Sequence, residues 1–227
     1  RFCTASDGAR IAYATVGQGL PLVKAANWLN HLEFDWRSPV WQHWMEELSR
    51  DRTLVRYDER GNGLSDWDVA DISFDAFVRD LETVVDAAGL ERFALFGISQ
   101  GVGVSIAYAV KHPERVSRLI LHAGYLRGWR ARGTPEEVER REAMSRLILT
   151  GWGQDNPAFR QIFTTFYIPE GTPEQTQWFN ELLRVSTWPA NALRLVDAFT
   201  RIDVTALAPL VRAPTLVMHC RHDAAIP

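Results

Sequence analysis

Short apolar runs and helically spaced apolar stripes take turns along the first half of the chain. Arg10 to Val16 predicts a strand, closed by a turn at Gly17 to Gly19. Pro21 to Ala26 is a short run of the kind that forms a strand buried on both faces. Trp41, Trp44, Met45 and Leu48 then recur at the spacing of one helix face. Thr53 to Tyr57 reads as a further strand, ending in the Gly-rich turn Asp58 to Asp66. Ser73 is placed to cap a helix whose apolar face is Phe74, Phe77, Val78, Leu81, Val84 and Val85, with Gly89 to end it. Phe93 to Phe96 predicts a strand, Gln100 to Lys111 a helix stopped by Pro113, and Val116 to His122 another strand. Strands without polar alternation, separated by amphipathic helices, predict an α/β fold in which helices cover both faces of a parallel sheet.

The pattern changes after Gly124. From about Thr134 to Thr205 only helices are predicted, and two of their starts are explicit. Thr134-Pro135-Glu136-Glu137 and Thr172-Pro173-Glu174-Gln175 each combine a capping Thr, Pro at the first helical position and a residue able to close a capping box. Asn156-Pro157 starts a third helix with Phe159, Ile162, Phe163, Phe166 and Tyr167 on one face, and a fourth follows Pro189. Pro214 to Cys220 then returns to a buried strand. The expected organisation is a core sheet over residues 1–124, a helical insertion over 125–207, and a return to the sheet over 208–227. Arg127, Arg130, Arg132, Arg140, Arg141 and Arg146 are interleaved with Glu136, Glu137, Glu139 and Glu142, which predicts a solvated helix face.

Composition narrows the function. With 46% hydrophobic residues and a net charge of −3, the 227-residue chain supports a substantial core, and disorder is excluded. Without a basic excess no nucleic-acid partner is expected, and charged residues recur too often for a membrane span. Cys3 and Cys220 lie at opposite ends and match no metal-ligand spacing, so no metal or other cofactor is expected. Two isolated thiols point to a reducing, cytoplasmic setting. Arg1 rather than Met opens the chain, which leaves room for residues upstream.

The chemistry concentrates in Phe93-Ala94-Leu95-Phe96-Gly97-Ile98-Ser99-Gln100-Gly101. A bare G-x-S-x-G is weak, but here it follows an apolar strand and opens a helix. That context predicts a sharp strand-to-helix turn with Ser99 in left-handed backbone and its hydroxyl exposed above the sheet. The helix start places amide donors beside this nucleophile.

From this motif the chain resembles the α/β-hydrolase fold family over essentially its whole length. Asp58-Glu59-Arg60-Gly61-Asn62-Gly63-Leu64-Ser65 is similar to the D-x-R-G-x-G-x-S turn after the fourth strand of many members. Asn27-Trp28-Leu29-Asn30-His31-Leu32-Glu33, Gly97 to Gly101 and Gly151-Trp152-Gly153-Gln154-Asp155-Asn156-Pro157 resemble a bacterial subgroup often fused to nucleotide cyclase or helix-turn-helix regulator domains. The resemblance implies a mostly parallel sheet with a helical lid inserted before the penultimate strand. It also implies an oxyanion hole, with the Gln100 backbone N–H as one donor and the Trp28 backbone N–H, by position, as the other. Relatives usually carry His-Gly where this chain has Ala26-Asn27.

Val217-Met218-His219-Cys220-Arg221-His222-Asp223 resembles the family's H-G-x-x-D ending, which implies Asp223 as the carboxylate that orients the catalytic histidine. The family's chain order is Ser, acid, His, and no histidine follows Asp223, so the catalytic His, the last strand and a final helix are expected beyond Pro227. His31 stands in the oxyanion-loop region, His43 and His112 on helix surfaces, His122 and His219 at strand ends, and His222 beside the acid. Asp58 and Arg60 are expected to organise their turn rather than react. A sheet edge left open by the missing strand is expected to favour self-association, most simply as a homodimer. The expected activity is that of a serine hydrolase on a small, fairly apolar ester or related acyl substrate, with C–C hydrolase and cofactor-free perhydrolase chemistry compatible with the same residues. The alternative is a small-molecule sensing domain coupled to a fused regulatory domain.

Overall fold

The structure, a computed structural model, describes residues 1–154 and 156–226. Seven strands, β1 (Phe2–Thr4), β2 (Arg10–Val16), β3 (Leu20–Lys24), β4 (Arg52–Tyr57), β5 (Phe93–Ile98), β6 (Val116–His122) and β7 (Thr215–Met218), form one sheet in the order β1-β2-β4-β3-β5-β6-β7. From β4 to β7 every neighbouring pair is parallel, whereas β1 and β2 run antiparallel. Only β2 therefore runs against the rest, and an apolar run carries no strand direction, so the sequence pattern could not single it out.

Burial on both faces explains the unalternating runs of β3, β4 and β5, whereas β7, expected as a buried strand, lies at the sheet edge with Leu216 and Val217 exposed. Leu22, Leu54 and Phe96 pack on one face with Met45, while their chain neighbours Val23, Val55 and Leu95 pack on the other with Phe77, Leu81 and Val104. The covering helices are α1 (Leu32–Asp35), α2 (Gln42–Ser49), α3 (Phe74–Ala87) and α4 (Gly101–Lys111). Ser73 Oγ accepts from the Ala76 N–H at 3.2 Å at the start of α3, and Gly89 follows its end at φ 67°.

Between β6 and β7 the chain forms α5 (Trp129–Arg132), α6 (Pro135–Gly151), α7 (Ala158–Tyr167), α8 (Pro173–Ser186) and α9 (Pro189–Thr200). The two capping boxes form as expected, at Thr134–Glu137 and Thr172–Gln175. On α7 the anticipated face is only partly buried: Phe163 is inside, while Ile162 is 44% exposed. β1, α1 and α5 were not foreseen, being too short to show a period. Among the described residues no helix is long and apolar enough to cross a membrane.

The topology sets the position of the site. β3 continues to β4 on one side, whereas β5 lies on its other side, so the order of connection switches between β3 and β5. In open α/β sheets the crevice at the carboxyl ends of such a strand pair is where ligands bind. The loop after β3 carries Trp28, and the turn after β5 carries Ser99.

Candidate active site

Ser99 occupies the turn between β5 and α4 with φ 55°, a left-handed backbone that a β-carbon disfavours. Two backbone bonds hold it there: the Ser99 N–H donates to His122 O at 3.1 Å, and the Val102 N–H donates to Ser99 O at 3.1 Å. The flanking glycines are needed for clearance. A Cβ on Gly97 would lie 2.6 Å from both Gly101 O and Ser105 Oγ, and one on Gly101 would lie 2.8 Å from Ala26 O. The second contact seats the β3 loop directly against the turn. The backbone N–H groups of Trp28 and Gln100 make no hydrogen bond among the described residues.

Beneath this loop lies a buried charged layer. Lys24 Nζ donates to Asn27 Oδ1, and Asn30 Nδ2 donates to Asp58 Oδ1 at 2.7 Å and Tyr57 O at 2.8 Å. Asp58 Oδ2 accepts from the Leu32 and Leu64 N–H groups at 3.1 and 2.8 Å, tying the two loops together as the turn reading anticipates. Burial pushes Asp58 up to about 7, against the pull of those N–H bonds, and pushes Lys24 down to about 8. Burial, reinforced by the Asp80 carboxylate, raises Glu59 to about 8. Arg60 forks onto Asp80 at 2.8 and 2.6 Å and also reaches Asp7 at 2.6 Å. The Arg60 bond holds Asp7 down at about 2.

Ser99, Trp28 and Gln100 line a cavity of about 80 Å³, completed from the helical segment by Tyr125, Arg132, Arg141, Phe166 and Tyr167. That corrects the expected solvated arginine face: Arg132 and Arg141 turn inward to this cavity. The signal was available in α6, where Arg141 shares its helical spacing with Met144 and Ile148, and all three line the adjoining hollow. Trp28 is buried and stacks on Trp152. Trp152 thus packs against the loop after β3, while Asp155 of the Gly151–Pro157 motif lies outside the described residues. A larger cavity of about 420 Å³ runs along α4 and β7 and does not include Ser99.

Asp223 Oδ1 accepts from the Ala225 and Ile226 N–H groups at 2.9 and 2.8 Å, which fixes the carboxylate. Its Oδ2 makes no hydrogen bond among the described residues. Ala225 and Ile226 line the Ser99 cavity, whereas Asp223 does not. Nor does any of the six histidines. His31 caps α1 by accepting from the Phe34 N–H at 3.3 Å, His112 bonds Glu82 at 2.6 Å, and His219 Nε2 meets Ile226 O at 2.7 Å. The histidine expected beyond Pro227, and Pro227 itself, lie outside the described residues. No group of three potential metal ligands occurs among the described residues.

A family model for the alpha/beta hydrolase fold matches residues 29–131. The chain is 30% identical to pyrrolizixenacetamide deacetylase from Xenorhabdus hominickii, over 96% of this chain and 79% of that relative. It belongs to the α/β-hydrolase family. Among further relatives of this α/β-hydrolase, a putative carbamate hydrolase RutD from Rhizobium rhizogenes is 24% identical, over 82% of this chain and 71% of its own. Among solved structures, a thermophilic esterase from Thermogutta terrifontis superposes with a TM-score of 0.78 at 24% identity, covering 100% of this chain and 82% of the esterase. That likeness extends the family's fold over the whole chain. Family membership makes this chain one of a group of hydrolytic enzymes, and the serine turn, the apposed loop and the roofed cavity are where its chemistry is to be sought.

Proposed function

We propose that this α/β-hydrolase is a serine hydrolase that cleaves a small ester or related acyl substrate through an acyl-enzyme on Ser99. The observation that carries the reading is the meeting of three residues at one small cavity: Ser99 on its strained turn, and Gln100 and Trp28, whose backbone N–H groups make no hydrogen bond among the described residues. Ser99 Oγ attacks the substrate carbonyl carbon, and the negative charge that develops on the carbonyl oxygen is met by the two N–H donors. In a site screened from water such donors lower the barrier more than they would in solution. A histidine takes the Ser99 proton and returns it to the leaving group, and Asp223, with Oδ2 uncommitted, orients that histidine. The acyl-enzyme is then hydrolysed by water activated through the same histidine. Trp28 and Phe199 give the cavity apolar walls suited to a short acyl chain.

The test is covalent labelling of the full-length protein with a fluorophosphonate probe, alongside turnover of short-chain aryl esters. Ser99→Ala abolishes both. Labelling that survives the substitution removes Ser99 from its role, and tight binding of small ligands without any turnover favours a sensing domain instead.

A further inference from the structure

Two arginines line the Ser99 cavity, and among the described residues no carboxylate side chain shares its lining. Arg132 lies over the Tyr125 ring at 5.3 Å, and its Nε is buried without a hydrogen-bond partner among the described residues. Arg141 is held between the rings of Phe166 and Trp129, at 5.3 and 6.0 Å, and spends one N–H on Ala225 O at 2.8 Å. Neither has a carboxylate within ion-pairing distance among the described residues. Their neighbour Arg130 shows the contrast: it faces away from this lining and pairs with Asp197 at 2.9 Å and Glu142 at 3.5 Å. Glu137, whose charge favours the Arg141 cation, is committed to the Thr134 capping box, accepting from the Thr134 N–H at 2.9 Å.

Like charges brought together in a half-buried hollow are unfavourable unless an anion joins them. Burial, and then the Arg132 charge, both work against the Arg141 cation. The aromatic rings hold the guanidinium planes in place, and a planar fork of N–H donors matches the two oxygens of a carboxylate.

We propose that Arg132 and Arg141 form a carboxylate-binding subsite, so that the substrate of Ser99 carries a carboxylate a few bonds from the scissile carbonyl. This rests on the serine hydrolase reading and narrows its substrate class to acyl compounds with one anionic end. The small volume of the cavity, about 80 Å³, sets the distance between the two ends as short.

Two measurements on the full-length protein test it. The first is equilibrium binding, followed by tryptophan fluorescence, of glutarate against its neutral diamide. Glutarate binds about tenfold or more tightly, the worth of one charge-assisted hydrogen bond, and loses that margin in Arg132→Gln and Arg141→Gln. Arg141→Lys, which keeps the charge without the fork, restores only part, and Arg130→Gln keeps the full margin. The second compares kcat/KM for matched pairs of anionic and neutral esters, with the carboxylate on the acyl side in one pair and on the alcohol side in the other. At least one pair favours the anion, and the preference collapses in the same variants. Equal binding of glutarate and the diamide, or a preference untouched by both Gln variants while Arg130→Gln folds normally, overturns the subsite. Glutarate binding without turnover of any ester leaves the subsite standing and overturns the hydrolase reading instead.

Discussion

Trp152 stacks on Trp28, with ring centroids 5.3 Å apart and planes 13° from parallel. One ring belongs to the turn after α6, the other to the loop after β3 that seats against the Ser99 turn, so the helical segment and that loop are packed as a unit. The Trp152 indole N–H is anchored in turn, donating to Thr187 O at 3.0 Å.

Trp152→Ala therefore costs both stability and rate. Removing a fully buried aromatic ring costs about 3–5 kcal/mol, read as a lower urea midpoint. A loosened Trp28 loop also lowers kcat, and Trp152→Phe recovers most of both. A stability loss with kcat unchanged would separate the stack from the chemistry.

Gly101→Ala tests the contact between the turn and the loop. Its new methyl would meet Ala26 O at 2.8 Å, too close for either backbone to stay in place. Overpacking of this kind costs about 1–3 kcal/mol. Displacing one oxyanion donor costs on the order of 10²-fold in kcat. Stopped-flow turnover and chemical denaturation of the same variant distinguish the two effects, and an unchanged kcat would place the second donor elsewhere.

Arg60 and Asp80 are buried together, each with a side chain 1% exposed. Arg60→Met leaves the Asp80 carboxylate without its main partner and destabilises the protein by about 3–5 kcal/mol. Adding Asp80→Leu removes the stranded charge and recovers much of the loss. A double-mutant cycle that comes out additive would deny the coupling.

Glu59 gives a pH signature. Its folded value is raised from 4.5 to about 8, so between those values the folded protein holds a proton that the unfolded chain has released. Stability from this group therefore falls as pH rises through that window. In Glu59→Gln that slope is gone, so the variant's melting temperature relative to the parent rises from about pH 5 to about pH 9. A difference independent of pH would mean that Glu59 titrates normally.

Much of the frame was legible in the sequence because each signal had a local cause. Ser73, Thr134 and Thr172 announce helix starts by chemistry confined to four residues, and Gly97 and Gly101 announce a turn that needs clearance. The antiparallel course of β2 was not legible, since a run such as Ile11-Ala12-Tyr13 buries equally well in either direction. The inward turn of Arg141 was signalled by its spacing with Met144 and Ile148 on α6 but masked by the interleaved glutamates. Arg132 lies on the four-residue α5, too short to show a face, and only packing against Tyr125 takes it out of solvent. Asp223 was singled out by the resemblance to the family's H-G-x-x-D ending, and the use of its Oδ1 to fix the turn at Ala225 and Ile226 depends on geometry that no spacing encodes.

The register of β6 and β7 has a consequence for how such a molecule can diversify. Ile120 lies beside Leu216 and Leu121 beside Val217, although α5 to α9 intervene in the chain. Closing a chain excursion between two fixed neighbours grows more costly only slowly with its length, by about 0.6 kcal/mol for each doubling. The sheet is thus nearly indifferent to how much chain is strung between these two strands. Selection can lengthen, shorten or exchange the residues that roof the cavity, Arg132 and Arg141 among them, without disturbing the turn that presents Ser99.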